Sequence, residues 1–326
     1  MKAVMMRAYG GPEVIEVAEL PTPEPTPKTV QVKIEAAGLN YSDIMIRKNQ
    51  YLDRMELPYV FGRELAGVIS AVGEGVTRFK VGDRVVGSVS SGAFAEYAIV
   101  PENALYPIPD GLDSETAVAM LIQGITALHC LVDVGGVQQG ERVLIQAAAG
   151  GVGTLAIQIA KAYGADVFGT ASSEQKCALI AELGATPINY SQSDWVNVAQ
   201  QHMHNEGADL ILESVGGEVF LRSFRELLAE FGRLVVLGAA SGEVVKLTNV
   251  EILGSGKSVH GYFLPRFFHP KRIHRIREAA IELGQMVAAG TLKPIIGKTF
   301  SLEEARAAFE YIESRQSVGK VILKPH

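Results

Sequence analysis

Hydrophobic and polar positions follow two different periods along this chain of 326 residues. In the N-terminal third the period is two: Gln31-Val32-Lys33-Ile34-Glu35 alternates strictly, as a half-buried strand does. Gly67-Val68-Ile69-Ser70-Ala71-Val72-Gly73 and Asp83-Arg84-Val85-Val86-Gly87 are β-branched runs bounded by glycine, with a turn at Gly82-Asp83. Pro21, Pro23, Pro25 and Pro27 stand at every second position, which excludes a helix and predicts an extended connector. These signals predict a twisted, β-barrel-like domain over roughly residues 1–115.

From about residue 115 apolar strands alternate with amphipathic helices. Strands are predicted at 142–146, 165–170, 186–190, 208–213 and 232–238, with helices running to about Tyr163 and near 174–183. That alternation is the signature of a doubly wound parallel sheet. The tail from about 266 carries a helix in which Ile273, Ile276, Ala280, Leu283 and Val287 keep a spacing of three to four, the pattern of a core-facing stripe. Lys320-Val321-Ile322-Leu323 then reads as a strand that returns to the first domain and makes it discontinuous. No internal repeat is visible.

Composition narrows the class. The length fits about two domains. Lys and Arg total 30 against 36 Asp and Glu, a net charge of −6, which argues against a broadly basic nucleic-acid binder. Glycine stands at 34, above the usual ~7%, which points to tight turns or close backbone approach to a ligand. Cys130 and Cys177 are the only cysteines, which rules out a disulfide scaffold and a four-cysteine zinc lobe; they allow one disulfide arithmetically, and two reduced thiols in the cytoplasm are expected. The N-terminus lacks a secretory pattern, and the apolar 117–132 segment is interrupted by Gln123, Gly124 and His129, so no membrane span is expected.

The most informative segment is Ala147-Ala148-Ala149-Gly150-Gly151-Val152-Gly153, between a predicted strand and a predicted helix. Ala148, Gly150 and Gly153 take the places of the three glycines in the dinucleotide fingerprint, where small residues let the backbone turn tightly and approach a pyrophosphate. The following helix start offers unpaired N–H groups and a positive dipole end to phosphate. An NAD site wants a carboxylate about 20 residues on. Here that stretch reads Gly169-Thr170-Ala171-Ser172-Ser173-Glu174-Gln175-Lys176: hydroxyls at the strand end and a cation close behind. Ser172, Ser173 and Lys176 are therefore expected to receive a 2′-phosphate, and NADPH is expected over NADH. Ser172 or Ser173 also fits a helix N-cap, and the two roles are compatible.

Taken in order, several motifs carry a family resemblance: Tyr9-Gly10-Gly11-Pro12-Glu13-Val14, Ala37-Gly38-Leu39-Asn40-Tyr41-Ser42-Asp43, Ala71-Val72-Gly73-Glu74-Gly75-Val76, Gly92-Ala93-Phe94-Ala95-Glu96-Tyr97, the 147–153 loop and Val318-Gly319-Lys320-Val321. Over essentially its whole length the chain resembles the zinc-independent medium-chain dehydrogenase/reductases, in particular the quinone oxidoreductase (zeta-crystallin-like) group. The resemblance implies an α/β protein in which a Rossmann-type domain, 119–265, is inserted in a discontinuous β-rich GroES-like catalytic domain, 1–118 and 266–326, with the active site in the cleft. It implies homodimers built through the edge strand at Ser258–Leu264. It also nominates Thr126 and Phe263 near the nicotinamide, Tyr190 near the adenosine phosphate, and Gly238 and Lys320, beside Ala149, Gly150, Gly151, Val152 and Gly153, as cofactor-binding residues. Zinc-dependent relatives place Cys, a His-Glu pair and then Cys or Asp in the cleft. The corresponding places here read Asn40, Arg63-Glu64 and Ile122, so no catalytic metal is expected.

Without a Lewis acid, hydride addition to an acceptor that is already activated is the accessible chemistry, which nominates quinones and α,β-unsaturated carbonyls. Asn40 is expected to donate its amide to the substrate carbonyl or the nicotinamide ribose, with loop hydrogen bonding as its other role. Tyr51, which matches a tyrosine of enoyl reductase relatives, is expected to orient or protonate substrate. Asp43 supports the turn. A further tyrosine common in quinone oxidoreductases is absent, since that stretch reads Ile44-Met45-Ile46. A second reading is an enoyl-thioester reductase acting on carrier-bound acyl chains. A third, from a different class, is a non-catalytic crystallin-like or RNA-binding protein, for which the run Arg266, Lys271, Arg272, Arg275 and Arg277 is the relevant feature; a solvated helix start explains that run as well.

Overall fold

The structure, a computed structural model, describes residues 1–325. The chain runs β1 (Lys2–Met6), β2 (Glu16–Glu19), β3 (Thr29–Leu39), α1 (Tyr41–Arg47), β4 (Tyr59–Val60), β5 (Glu64–Val72), β6 (Arg84–Ser88), β7 (Tyr97–Pro101), β8 (Leu105–Pro107) and α2 (Ser114–Leu128). It continues through β9 (Arg142–Ile145), α3 (Gly151–Ala162), β10 (Asp166–Ala171), α4 (Glu174–Glu182), β11 (Thr186–Asn189), α5 (Trp195–His202), β12 (Ala208–Glu213) and α6 (Gly217–Arg222). Then come β13 (Leu228–Val236), α7 (Asn249–Ser255), β14 (Ser258–Gly261), α8 (Ile273–Ala288), β15 (Ile296–Ser301), α9 (Ala305–Glu313) and β16 (Lys320–Lys324). Two compact units result: Met1–Ile122 together with the chain from Pro294 onward, and Gln123–Lys293.

The first unit is mostly antiparallel. Its larger sheet has the order β15-β16-β3-β5-β6-β8, with β7 also paired to β3; a smaller sheet has the order β2-β1-β4. The strict alternation read at 31–35 is the middle of β3, whose Val30, Val32 and Ile34 point into the core. The C-terminal stretch is part of that core. Phe309 of α9 is fully buried, with ring centroids 5.1 Å from Phe61 and 6.4 Å from Phe94 in edge-on geometry. Arg47 of α1 is fully buried as well and bonds both carboxylate oxygens of Glu313, each at 2.9 Å.

The second unit is the doubly wound sheet, with parallel order β11-β10-β9-β12-β13-β14. The strand order reverses between β9, which is followed by α3, and β12, and that is where ligands bind in open sheets of this kind. β14 stands at one edge, with His260 and Gly261 exposed.

Two expectations are corrected. Residues 266–293 belong to the nucleotide unit and not to the β-rich one. The apolar stripe of α8 decides this: Ile276, Ala279, Ala280 and Leu283 are buried, Leu283 packs on Gly124 of α2, and Glu282 accepts from the Tyr163 hydroxyl at 2.9 Å. The chain returns to the first unit only at Pro294. The apolar 117–132 stretch is also not broken at Gln123, Gly124 and His129. α2 continues as a π-helical turn, His129–Val134, so that Ser114–Val134 is, among the described residues, the one helix long and apolar enough to cross a membrane. Most of it is buried within the protein.

Candidate active site

In the nucleotide unit, β9 feeds a tight turn in which Ala147 takes a left-handed conformation, φ 52°. The Ala148 amide bonds the Thr170 carbonyl of β10 at 2.9 Å, and Gly150 is the N-cap of α3 in extended conformation. The first intrahelical bond runs from Thr154 N to Gly150 O, at 2.9 Å. The amides of Gly151, Val152 and Gly153 precede it and face the positive end of the helix dipole. A side chain at Gly153 would bring its Cβ within 2.6 Å of the Ala148 backbone, so the third place of the motif admits only glycine. Beneath the loop, Gln146 is locked between two hydroxyls: it donates to Ser223 at 2.9 Å and accepts from Thr170 at 2.6 Å. A pyrophosphate fits this cradle: small residues, backbone amides outside the intrahelical ladder and a rigid polar floor.

At the end of β10, Ser173 is the N-cap of α4, accepting from the Lys176 amide at 3.4 Å; Ser172 precedes it. Lys176 sits in the first turn, and burial lowers the pKa of its ammonium. The one carboxylate of the stretch, Glu174, is tied to the end of β11, accepting from Asn189 Nδ2 at 2.7 Å. Tyr190 bonds the Ala171 carbonyl through its amide at 2.9 Å and packs its ring on the sheet's apolar cluster. Gly238 follows β13 so closely against the preceding loop that a Cβ would lie 2.8 Å from the Ser214 carbonyl. Thr126 is buried on α2 and hydrogen-bonds the Tyr262 hydroxyl, which meets His129 Nδ1 at 3.1 Å. Burial lowers the pKa of His129, opposed by its hydrogen bond with the Arg275 carbonyl and by the nearby Asp133 carboxylate. Phe263 follows β14 and lies under the Arg266 guanidinium, 5.8 Å from its centroid. Glu213, not anticipated from the sequence, closes β12: burial raises its pKa, while it accepts from the Val215 and Gly216 amides, each at 2.8 Å.

In the β-rich unit, the junction of β3 and α1 gathers polar side chains in an apolar setting. Asn40 caps α1, and the Asp43 carboxylate accepts from its amide N–H at 2.9 Å, the reciprocal bond of a capping box. The Asn40 side chain is already engaged: Nδ2 donates to Glu64 Oε1 at 2.7 Å and to the Gly38 carbonyl at 3.3 Å, and Oδ1 accepts from Lys320 Nζ at 2.9 Å. Lys320 is buried and also pairs with Glu64, whose second oxygen accepts from the Ile122 amide at 3.1 Å. The amide hydrogens of Asn40 are engaged by Glu64 and Gly38, the loop-ordering role of the two expected of it, and the ammonium of Lys320 neutralises Glu64. A buried carboxylate demands such a partner.

Beside this trio stands Arg63. Its Nη1 donates to the Tyr51 hydroxyl at 2.7 Å, its Nη2 donates to the Ser42 hydroxyl, and its Cζ lies 4.7 Å from the Tyr51 ring centroid. Asp43 is fully buried, which pushes its carboxyl up to about 6 against the pull of the Arg63 charge. The three places where zinc-dependent chains carry ligands thus hold an amide, an arginine-glutamate pair and an isoleucine, with a lysine ammonium between the amide and the glutamate. That donor set does not fit zinc. Among the described residues no group of three or more His, Cys, Asp or Glu side chains is placed to hold a metal ion.

Residues 26–110 match the alcohol dehydrogenase GroES-like domain, and residues 151–284 match the zinc-binding dehydrogenase domain. The quinone oxidoreductase of Homo sapiens is 34% identical over 327 residues, covering 99% of this chain and 97% of that protein. The chain belongs to the zinc-independent quinone oxidoreductase family of medium-chain dehydrogenases/reductases. Within the fold of that family, the quinone oxidoreductase of Escherichia coli, solved in complex with NADPH, superposes with a TM-score of 0.93 at 31% identity, over 100% of both chains. The CurK enoyl reductase superposes with a TM-score of 0.88 at 28% identity, over 99% of this chain and 98% of that one.

Proposed function

We propose that this protein is an NADPH-dependent, metal-free oxidoreductase that reduces quinones and activated C=C bonds of α,β-unsaturated carbonyl compounds. The observation that carries the reading is the phosphate cradle at the start of α3, paired with a β10 end where Ser172, Ser173 and Lys176 stand and the nearby carboxylate of Glu174 is drawn off to Asn189. Hydroxyl donors and a cation there favour a 2′-phosphate over a bare ribose hydroxyl. The relatives' quinone oxidoreductase activity and the NADPH bound to the Escherichia coli protein support the same reading.

When bound, NADPH supplies a hydride; the chain's own residues place and polarise the acceptor. Gly151, Val152 and Gly153 present backbone amides to the pyrophosphate, and Thr126 and Phe263 are assigned to the nicotinamide end. Tyr51 is assigned to the carbonyl oxygen of the substrate. An enone or quinone carries its own electron sink, so a hydrogen bond to that oxygen replaces the metal that an alcohol dehydrogenase needs. Solvent completes the protonation. The second reading, an enoyl-thioester reductase, is favoured by the likeness to the CurK enoyl reductase. The protein is assigned to the cytoplasm, with Cys130 and Cys177 as buried thiols, and to a homodimer formed through β14.

Oxidation of NADPH and of NADH, followed at 340 nm with 1,4-benzoquinone, cyclohex-2-enone and crotonyl thioester in parallel, tests the assignment. NADPH-dependent turnover of the first two supports it, and preference for the thioester transfers it to the second reading. No turnover with any acceptor, joined to salt-sensitive retention of RNA, overturns it in favour of a binding role. A monomeric mass by light scattering at micromolar concentration overturns the dimer.

A further inference from the structure

Arg63 stands one residue before Glu64 at the start of β5, and its guanidinium engages a single phenol in two ways. It donates to the Tyr51 oxygen at 2.7 Å and covers the ring face at 4.7 Å, while its other arm holds the Ser42 hydroxyl of α1. Its Nε is buried without a hydrogen-bond partner among the described residues, and the buried Asp43 carboxyl faces the cation. Arginine carries hydrogen-bond donors only. The Tyr51 oxygen must therefore accept from Arg63, and the phenolic hydrogen is turned away from the guanidinium. The ring is held against swinging aside because the cation that grips its oxygen also lies on its face.

We propose that Arg63 is a positioning residue that locks the Tyr51 phenol as a hydrogen-bond donor, and that this polarity suits the site to a carbonyl oxygen and not to an alcohol. The inference rests on the assignment of Tyr51 to the substrate. A carbonyl oxygen only accepts. As hydride adds to the β-carbon, the C=C electron pair moves toward the carbonyl and its π pair passes to oxygen, so the bond from Tyr51 strengthens through the reaction, with a full positive charge directly behind the phenol. Water then delivers one proton to the α-carbon of an enone's enolate; for a quinone it protonates the enolate oxygen, and the hydrogen added at carbon leaves as a proton that passes through solvent to the second carbonyl oxygen as the ring becomes aromatic. An alcohol must instead lose its proton as it loses hydride and needs an acceptor beside it. Tyr51, with a lone pair taken by Arg63, is a poor one.

A double-mutant cycle tests the lock. Arg63→Met, Tyr51→Phe and the double variant are compared in kcat/KM for 1,4-benzoquinone and cyclohex-2-enone, with far-UV circular dichroism as the check on folding. Each single change is expected to lower kcat/KM by about 10- to 100-fold, chiefly in kcat, and the double variant is expected to lie within about threefold of Tyr51→Phe. Arg63→Lys keeps the charge but loses the planar fork, and it is expected to recover only part of the loss; it serves the same cycle if Arg63→Met does not fold. Losses that multiply in the double variant, or Arg63→Met activity within twofold of wild type, overturn the proposal. If the wild-type protein turns over neither acceptor, the reductase reading fails by itself. The lock is then read in 15N-arginine-labelled protein, where the side-chain signal lost in Arg63→Met must shift in Tyr51→Phe; an unmoved signal overturns the lock.

Discussion

At the scale of single residues, the site is governed by which charges are buried and what meets them. Asp43 is the clearest case. Burial lifts its carboxyl from the ordinary aspartate value of 3.8 to about 6, opposed by Arg63 and Lys320 and reinforced by Glu64, with the Tyr59 hydroxyl nearby. Between those two values the folded protein holds a proton that the unfolded chain has lost, so Asp43 favours folding more as pH falls from 6 toward 4. Above pH 6 its buried charge weighs against the fold by about 3 kcal/mol. Urea unfolding of wild type and Asp43→Asn at pH 4.5, 6 and 7.5 checks this: the difference between them must move in favour of the variant as pH rises, and a pH-independent difference contradicts it. Lys176 makes a second prediction. Lys176→Ala is expected to weaken NADPH binding about tenfold and leave NADH within about twofold, the loss of one charge-assisted contact to a 2′-phosphate. Equal effects on both nucleotides, measured by fluorescence titration, would refute that role. Residue chemistry was partly legible in the sequence. The small residues at 148, 150 and 153 and the missing acid after β10 could be read directly. The pairing of Arg63 with Tyr51, and of Lys320 with Asn40 and Glu64, could not, because the partners lie 12, 280 and 256 residues apart in the chain. The presence of an arginine and a glutamate together at the opening of a strand was the one available signal.

At the scale of elements, periodicity located the strands better than the helices. β3, β5, β6, β9, β10, β12 and β13 announce themselves because β-branched runs with glycine at their ends have few other uses. Helices α1, α6 and α7 have seven, six and seven residues, too short for a stripe to be seen against its surroundings. α2 was obscured for a different reason. Being apolar nearly all round, it shows no stripe, and its polar members His129 and Thr126 are absorbed by the Tyr262 hydroxyl. The seam between α3 and the strand turn before it has the least slack. Gly153→Val is expected to abolish measurable NADPH binding, because its Cβ alone meets backbone at 2.6 Å, whereas Gly150→Ala, whose nearest neighbour is the Ala147 carbonyl at 3.2 Å, is expected to lose only about tenfold. Comparable losses in the two variants, measured by isothermal titration, would show that the seam does not discriminate between them.

At the scale of the whole molecule, the β-rich unit is stitched from both ends of the chain. Phe309→Ala is therefore expected to destabilise that unit by about 3–5 kcal/mol, since it empties a fully buried ring site shared with Phe61 and Phe94. Chemical unfolding followed by circular dichroism checks it, and a loss below about 1 kcal/mol would place the C-terminal helix outside the cooperative core. The same stitching orders events during synthesis. Residues Gln123–Lys293 are one uninterrupted stretch, made in full before the segment from Pro294 that completes the β-rich unit. Asn40 and Glu64 leave the ribosome early, yet the ammonium that neutralises them belongs to Lys320, 280 residues after Asn40. At about 5–20 residues per second, that is a delay of tens of seconds. Until β16 arrives, the nascent β-rich unit holds in Glu64 a carboxylate whose buried partner does not yet exist, so the whole of Gln123–Lys293 is made before that ion pair can close.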